Sequence, residues 1–147
     1  MNKTFLIQKL TWVFAVFFLI ISAISNIPIF NNIQRSNFGF FKIDPMDTIA
    51  HLLTAIIGAI AAWHSARLSR WFLIVFGSLY WLDAFIGLGM GRGLLDLSIF
   101  TQGAESPDFS QIGIAINAPQ IALAVAMISV GVSCKIKNKV PVGFENI

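Results

Sequence analysis

The chain has 147 residues, of which 56% are hydrophobic and 12% charged, with a net charge of +3. A soluble domain is typically about 25% charged, and a water-soluble fold of this length has nowhere to hide 14 Phe and four Trp. Its basic residues flank apolar runs and form no patch interleaved with aromatics, which argues against nucleic acid and makes the lipid bilayer the partner to expect.

Length allows one transmembrane domain over residues 1–147. A spanning helix needs about 20 mostly apolar residues, and four segments qualify: residues 10–29, 47–66, 71–91 and 112–132. The fold class expected is therefore all-α, an integral membrane four-helix antiparallel bundle. The first segment has a rival reading as a cleaved signal peptide, with Lys3 and Lys9 ahead of the apolar run and Ala23 and Ser25 at cleavage-like spacing. Its length favours a retained anchor.

Outer loops are expected at 30–46 and 92–111. Between the second and third segments, Arg67, Ser69 and Arg70 leave room only for a tight helical hairpin. The 92–111 connection carries Leu94, Leu95, Leu97, Ile99 and Phe100, too short to span and too apolar for a free loop. It reads as a short interfacial helix or a lid on the mouth of the bundle, followed by a polar, mobile stretch from Gly103 to Ser110.

Orientation follows the Lys and Arg flanking the helices. Lys3, Lys9, Arg67, Arg70, Lys135, Lys137 and Lys139 fall on one side, against Arg35, Lys42 and Arg92 on the other. That asymmetry puts both termini in the cytoplasm and the protein in the cell membrane.

Membrane helices pack through small residues. The second segment has a stripe of His51, Thr54, Gly58, Ala61 and Ser65; the third has Gly87 and Gly91; the fourth has Ala118, Ala122 and Ala126. Such faces also suit a protein partner or a homo-oligomer. Pro119 lacks the N–H that would bond to the carbonyl of Ala115, so a kink is expected there.

Ionisable groups in hydrocarbon are costly and mark candidate sites. Asp83 lies twelve residues past Trp71, roughly 18 Å along the helix. It shares a face with Gly87 and should point into the bundle. His51 is its candidate partner, and Asn117, Gln120 and Asn26 lie at similar depth, with Thr54 one turn from His51 on the same stripe. Asp83 is expected to hydrogen-bond His51, Asn117, Gln120 or a water. Three roles stay open for this cluster: mutual hydrogen bonds that fix helix register, a ligand pocket, or a proton or ion path.

His64, beside Trp63 and Arg67, reads as interfacial. The two histidines are about 20 Å apart on one helix and cannot share a metal or haem iron. No metal spacing, nucleophile elbow, phosphate loop or dinucleotide fingerprint is present, so no cofactor and no catalysis are expected. A pigment held by His51 alone stays open. Cys134, the single cysteine, reads as a small apolar residue, with lipidation as the alternative.

The segment Asp47-Thr-Ile-Ala-His51-Leu-Leu-Thr-Ala-Ile-Ile-Gly58-Ala-Ile-Ala-Ala-Trp63 resembles the signature of an uncharacterised bacterial four-helix membrane family, the domain-of-unknown-function family 4383. The placement of Gly77, Tyr80 and Gly87 is similar too. In that family the polar-to-His pattern recurs at the fourth helix. Here Ile116-Asn117 can be laid on Ile43-Asp44 and Gly131 on Gly58, but Ala124 stands where His51 would repeat. The resemblance covers residues 40–132, implies a bacterial inner-membrane protein and brings no activity. The expected function is a non-enzymatic structural or accessory subunit, with a ligand-binding, pigment-binding or proton-relay protein as the alternative.

Overall fold

The computed structural model describes residues 3–25, 36–37, 41–42 and 45–134. The chain is helical, with four helices long and apolar enough to cross a membrane. These are α1 (Lys3–Ser25), α2 (Pro45–His64), α3 (Ala66–Met90) and α5 (Gln111–Ser133), joined by a short α4 (Ser98–Gln102). A two-residue antiparallel ladder pairs β1 (Ser36–Asn37) with β2 (Phe41–Lys42). At 1.5 Å per residue the 20 to 25 residues of the long helices match a hydrocarbon core of about 30 Å.

Helix boundaries differ from expectation where polar side chains find partners. α1 begins at Lys3 because its polar first turns are used: Gln8 Nε2 donates to the Ala62 carbonyl, and Lys9 Nζ lies 4.4 Å from the Phe5 ring centroid. The hairpin is tighter than the sequence suggests, with Ser65 alone between α2 and α3. Ser65 is extended (φ −167°), and its Oγ accepts from Leu68 N at 3.2 Å, capping α3. Ser65 is thus a break in the small-residue stripe of α2, not its last member.

Contacts between successive long helices descend one helix as they climb the next. Along α1 and α2, Gln8 meets Ala62, Ala15 approaches Gly58, and Ser22 Oγ donates to the Thr48 carbonyl. Along α2 and α3, Ser69 Oγ donates to the Ala61 carbonyl, Phe72 lies against Gly58, and Tyr80 meets Thr54. Along α3 and α5, Arg70 Nε donates to the Gly131 carbonyl, Gly77 lies against Met127 and Ile128, and Gly87 against Asn117. The largest pairings are α1 with α2 and α3 with α5, while α1 barely reaches α5.

The core is a narrow seam containing Ile7, Phe18, Leu73, Tyr80 and Met127. Between 22% and 33% of each candidate span is buried inside the protein, so most of the apolar surface of these helices is left uncovered by the rest of the described residues. On α2 the buried residues are Thr54, Ala55, Gly58, Ala61 and Ala62, as the stripe requires. On α5 the expected alanine face is overturned. Ala118, Ala122 and Ala126 are exposed, and the seam is formed by Gly113, Ala124, Met127 and Gly131. Spacing by four fits either face of a helix; the glycines decide, because Gly131 admits the side chains of Ile74 and Leu73 where a Cβ would not fit. Pro119 lies inside α5 at an exposed position. Cys134 is buried in the core cluster, which withdraws its thiol from modification.

Candidate functional site

Asp83 is the most buried carboxyl group described, 3% exposed and seven residues before the end of α3. Gly91 ends that helix in the left-handed conformation (φ 63°), a backbone that glycine adopts without Cβ strain. The chain then folds back over the helix end. Leu94 N donates to Asp83 Oδ1 at 2.5 Å and Leu95 N donates to the same oxygen at 2.8 Å. Gly93 makes that approach feasible, since a Cβ there would stand 3.2 Å from Asp83 Oδ1 and 2.9 Å from Asp96 Oδ1. Two successive amides form an anion-binding concavity, and here the acceptor they hold is the chain's own carboxyl group. From the other side Gln120 Nε2 on α5 donates to Asp83 Oδ2 at 2.9 Å.

The returning loop is tied down further. Asp96 Oδ1 accepts from Ser98 N (2.9 Å) and Ser98 Oγ (2.7 Å) at the start of α4. Arg92 pairs with Gln102 and Glu105. Glu105 N donates to the Met90 carbonyl and Asp108 N to the Leu88 carbonyl, so the exposed 103–110 stretch is laced to the end of α3. Ser110, through its hydroxyl and backbone N–H, holds the exposed carboxyl of Asp108 below its ordinary range.

The expected Asp83–His51 pair does not form. His51 faces α1 and α3, stacked with Tyr80 (ring centroids 6.0 Å, planes 8° apart) and Phe18 (5.8 Å, 25°). Phe18 and Tyr80 stack in turn at 5.0 Å, closing a three-ring cluster. Tyr80 Oη lies 3.3 Å from Thr54 Oγ1, which also donates to the Ala50 carbonyl at 2.8 Å. His51 Nδ1 is buried and has no hydrogen-bond partner among the described residues. Asn117 also stands apart from Asp83: its Nδ2 donates to the Gly113 carbonyl on its own helix, and its Oδ1 lies against Gly87.

The polar residues that sequence reasoning grouped thus divide in two. Asp83 and Gln120 are joined between α3 and α5, while His51 and Thr54 are joined to Tyr80, one turn before Asp83 on α3. Asn26 lies outside the described residues. The Gly87–Gly91 pair divides as well, since Gly87 packs on Asn117 whereas Gly91 is a helix terminus. What the sequence hid were the main-chain donors of Leu94 and Leu95 and the ring partners Phe18 and Tyr80. A glycine-flanked turn, Gly91-Arg92-Gly93, two turns past a buried acid is the signal that leads to the first pair. Among the described residues no group of three or more His, Cys, Asp or Glu could hold a metal ion.

No family model matches this chain, and no curated protein or solved structure matches it significantly. The resemblance to domain-of-unknown-function family 4383 therefore rests on the residues quoted for it alone.

Proposed function

We propose that the protein is a multi-pass component of the cell membrane, a four-helix antiparallel bundle with both termini cytoplasmic, that acts as a non-enzymatic structural or accessory subunit. The carrying observation is the engagement of both Asp83 oxygens, Oδ1 with the Leu94 and Leu95 amides and Oδ2 with Gln120. A carboxyl group used for catalysis or proton transfer needs an open coordination position; this one is spent on closing a loop over a helix end. Antiparallel neighbours and an even number of spans support a shared side for the two termini, and the excess of Lys and Arg there supports the cytoplasm as that side.

Two measurements test the proposal. Single cysteines at Asn32 and Lys139, in a Cys134→Ala background, report orientation: a membrane-impermeant thiol reagent applied to whole cells should label position 32 and spare 139. The reverse pattern inverts the topology. For the role, Asp83→Asn keeps the acceptor oxygen and lets the Gln120 amide turn to match, so complex assembly and fold should survive. Loss of function in a folded Asn variant would make the carboxyl group a working acid and overturn the structural reading.

The second reading is a ligand-binding, pigment-binding or proton-relay protein, and one observation favours it: the buried Nδ1 of His51 within the Phe18–Tyr80 stack, without a partner among the described residues. Purification in mild detergent followed by absorption spectroscopy decides it. A visible band lost in His51→Phe supports a bound chromophore.

A further inference from the structure

Beside the hairpin of α2 and α3, a groove of about 280 Å³ opens on the surface of the protein. Its walls include Ile57 and Ile60 from α2 and Leu68, Trp71, Phe72 and Val75 from α3, and no polar atom lines it. From Leu68 to Val75 it follows the helix for about 10 Å. Helical spacing decides what stands at its hairpin end. His64 lies seven and four residues after Ile57 and Ile60, on the same stripe of α2, and Arg67 lies four and eight residues before Trp71 and Val75, on the same stripe of α3. Both are exposed, and neither side chain makes a hydrogen bond or salt bridge among the described residues. Arg70, by contrast, is committed to the Gly131 carbonyl.

We propose that this groove is a binding site for one acyl chain of an anionic phospholipid, whose phosphate is held by Arg67 and His64. An open apolar groove with two N–H donors on the same helical stripes beyond its hairpin end matches a phospholipid in both parts. A neighbouring transmembrane helix would cover the apolar walls but leave the guanidinium without an anion. Arg67 offers a fork of donors suited to phosphate, and basic pockets between spanning helices on the cytoplasmic side are suited to such headgroups. Trp71, 58% exposed on the groove wall, sits at the depth where an indole stays close to the headgroups. The inference rests on the reading that the four helices cross a membrane.

The test uses the full chain in vesicles of phosphatidylcholine mixed with phosphatidylglycerol, in which one lipid or the other carries bromine on its acyl chains. One variant keeps Trp71 alone and a second keeps Trp81 alone, the other tryptophans becoming Phe. The expected result is stronger quenching of Trp71 by brominated phosphatidylglycerol than by brominated phosphatidylcholine, a preference of about fivefold per effective basic residue. Arg67→Gln with His64→Gln should abolish that preference, and Val75→Phe, which fills the groove, should reduce quenching by both lipids. Equal quenching of Trp71 by the two lipids, or a preference that survives the double Gln variant, overturns the proposal. So does quenching that falls as the protein-to-lipid ratio rises, because a second copy then covers the groove. Trp81 separates the two levels of the argument. If it is quenched with no headgroup preference at Trp71, only the lipid site falls; if it is not quenched at all, the spanning reading falls with it.

Discussion

On the face that α3 turns toward α5, Asp83 meets three N–H donors and the packing is closed by Gly77 against Met127 and Ile128. On the face turned toward α1 and α2, Tyr80 is packed as tightly, 1% exposed, yet its neighbour His51 keeps a buried nitrogen with no partner among the described residues. The contrast teaches that burial and satisfaction are separate matters. The group that is hardest to keep in hydrocarbon, a carboxyl, is the one given three donors, and two of them come from the main chain. The imidazole is accommodated by ring stacking, which rewards area and leaves its polar atom out of account.

The largest expected effect comes from breaking the closed side. Asp83→Leu strands the Leu94 and Leu95 amides and the Gln120 amide, and each unsatisfied buried group costs about 1–3 kcal/mol. The variant should lose about 3 kcal/mol or more, seen as a large drop in thermal unfolding temperature in detergent. Gln120→Leu removes one donor and should cost about 1 kcal/mol, near the usual worth of an interhelical hydrogen bond in a membrane. If Asp83→Leu proves as mild as Gln120→Leu, the loop amides are not held by the carboxyl group and the comparison collapses.

Packing on the same side gives the next effect. A Cβ at Gly77 would stand 2.8 Å from Ile128 Cγ1 and 3.2 Å from the Ala124 carbonyl oxygen. The backbone atom cannot swing away as a side-chain tip can, so Gly77→Val should force α3 and α5 apart at about 1–3 kcal/mol. Unfolding in a detergent series measures it, and a neutral result would mean that the two helices are not packed at this register.

On the open side the expected sign reverses. His51→Phe keeps a ring in the stack with Phe18 and Tyr80 and deletes the orphan nitrogen, so it should be neutral or stabilising by up to about 1 kcal/mol. Destabilisation by more than that amount would show that the imidazole has a partner in the native membrane and would move His51 into the functional account.

Span positions, the short helix between the third and fourth spans and the inward face of Asp83 were legible because each rests on local pattern: run length, apolar content between basic residues, and the position of an acid relative to Gly87. Gln120 was legible as one of several partners for the same reason. The Asp83 site as a whole was not, since its principal donors are main-chain amides of Leu94 and Leu95, and side-chain chemistry says nothing of where an amide points. The division of the polar cluster was hidden for a different reason. Depth places His51 and Asp83 at one level, but only the rotation of α3 about its own axis decides which neighbour each residue meets, and that rotation is set by Gly77, Gly87 and Gly131 together.

The smallest expected effect tests that rotation directly. Ala118, Ala122 and Ala126 lie four apart, the spacing of a packing stripe, yet all three are exposed while Gly113, Ala124, Met127 and Gly131 are buried. If α5 is turned as described, Ala122→Leu adds a side chain to the lipid-facing surface and should change stability by less than about 0.5 kcal/mol. If the alanines instead pack on a neighbouring helix, the same change overfills an interface at about 1–3 kcal/mol. Thermal unfolding separates the two within one chain. Cross-linking of the wild type and the variant in membranes separates them between chains, because a contact through this face in a homo-oligomer would be lost in the variant while its monomer unfolded at an unchanged temperature. An unchanged temperature together with an unchanged cross-linking pattern leaves the alanines as lipid-facing residues and fixes the glycine-bearing face as the one that packs on α3.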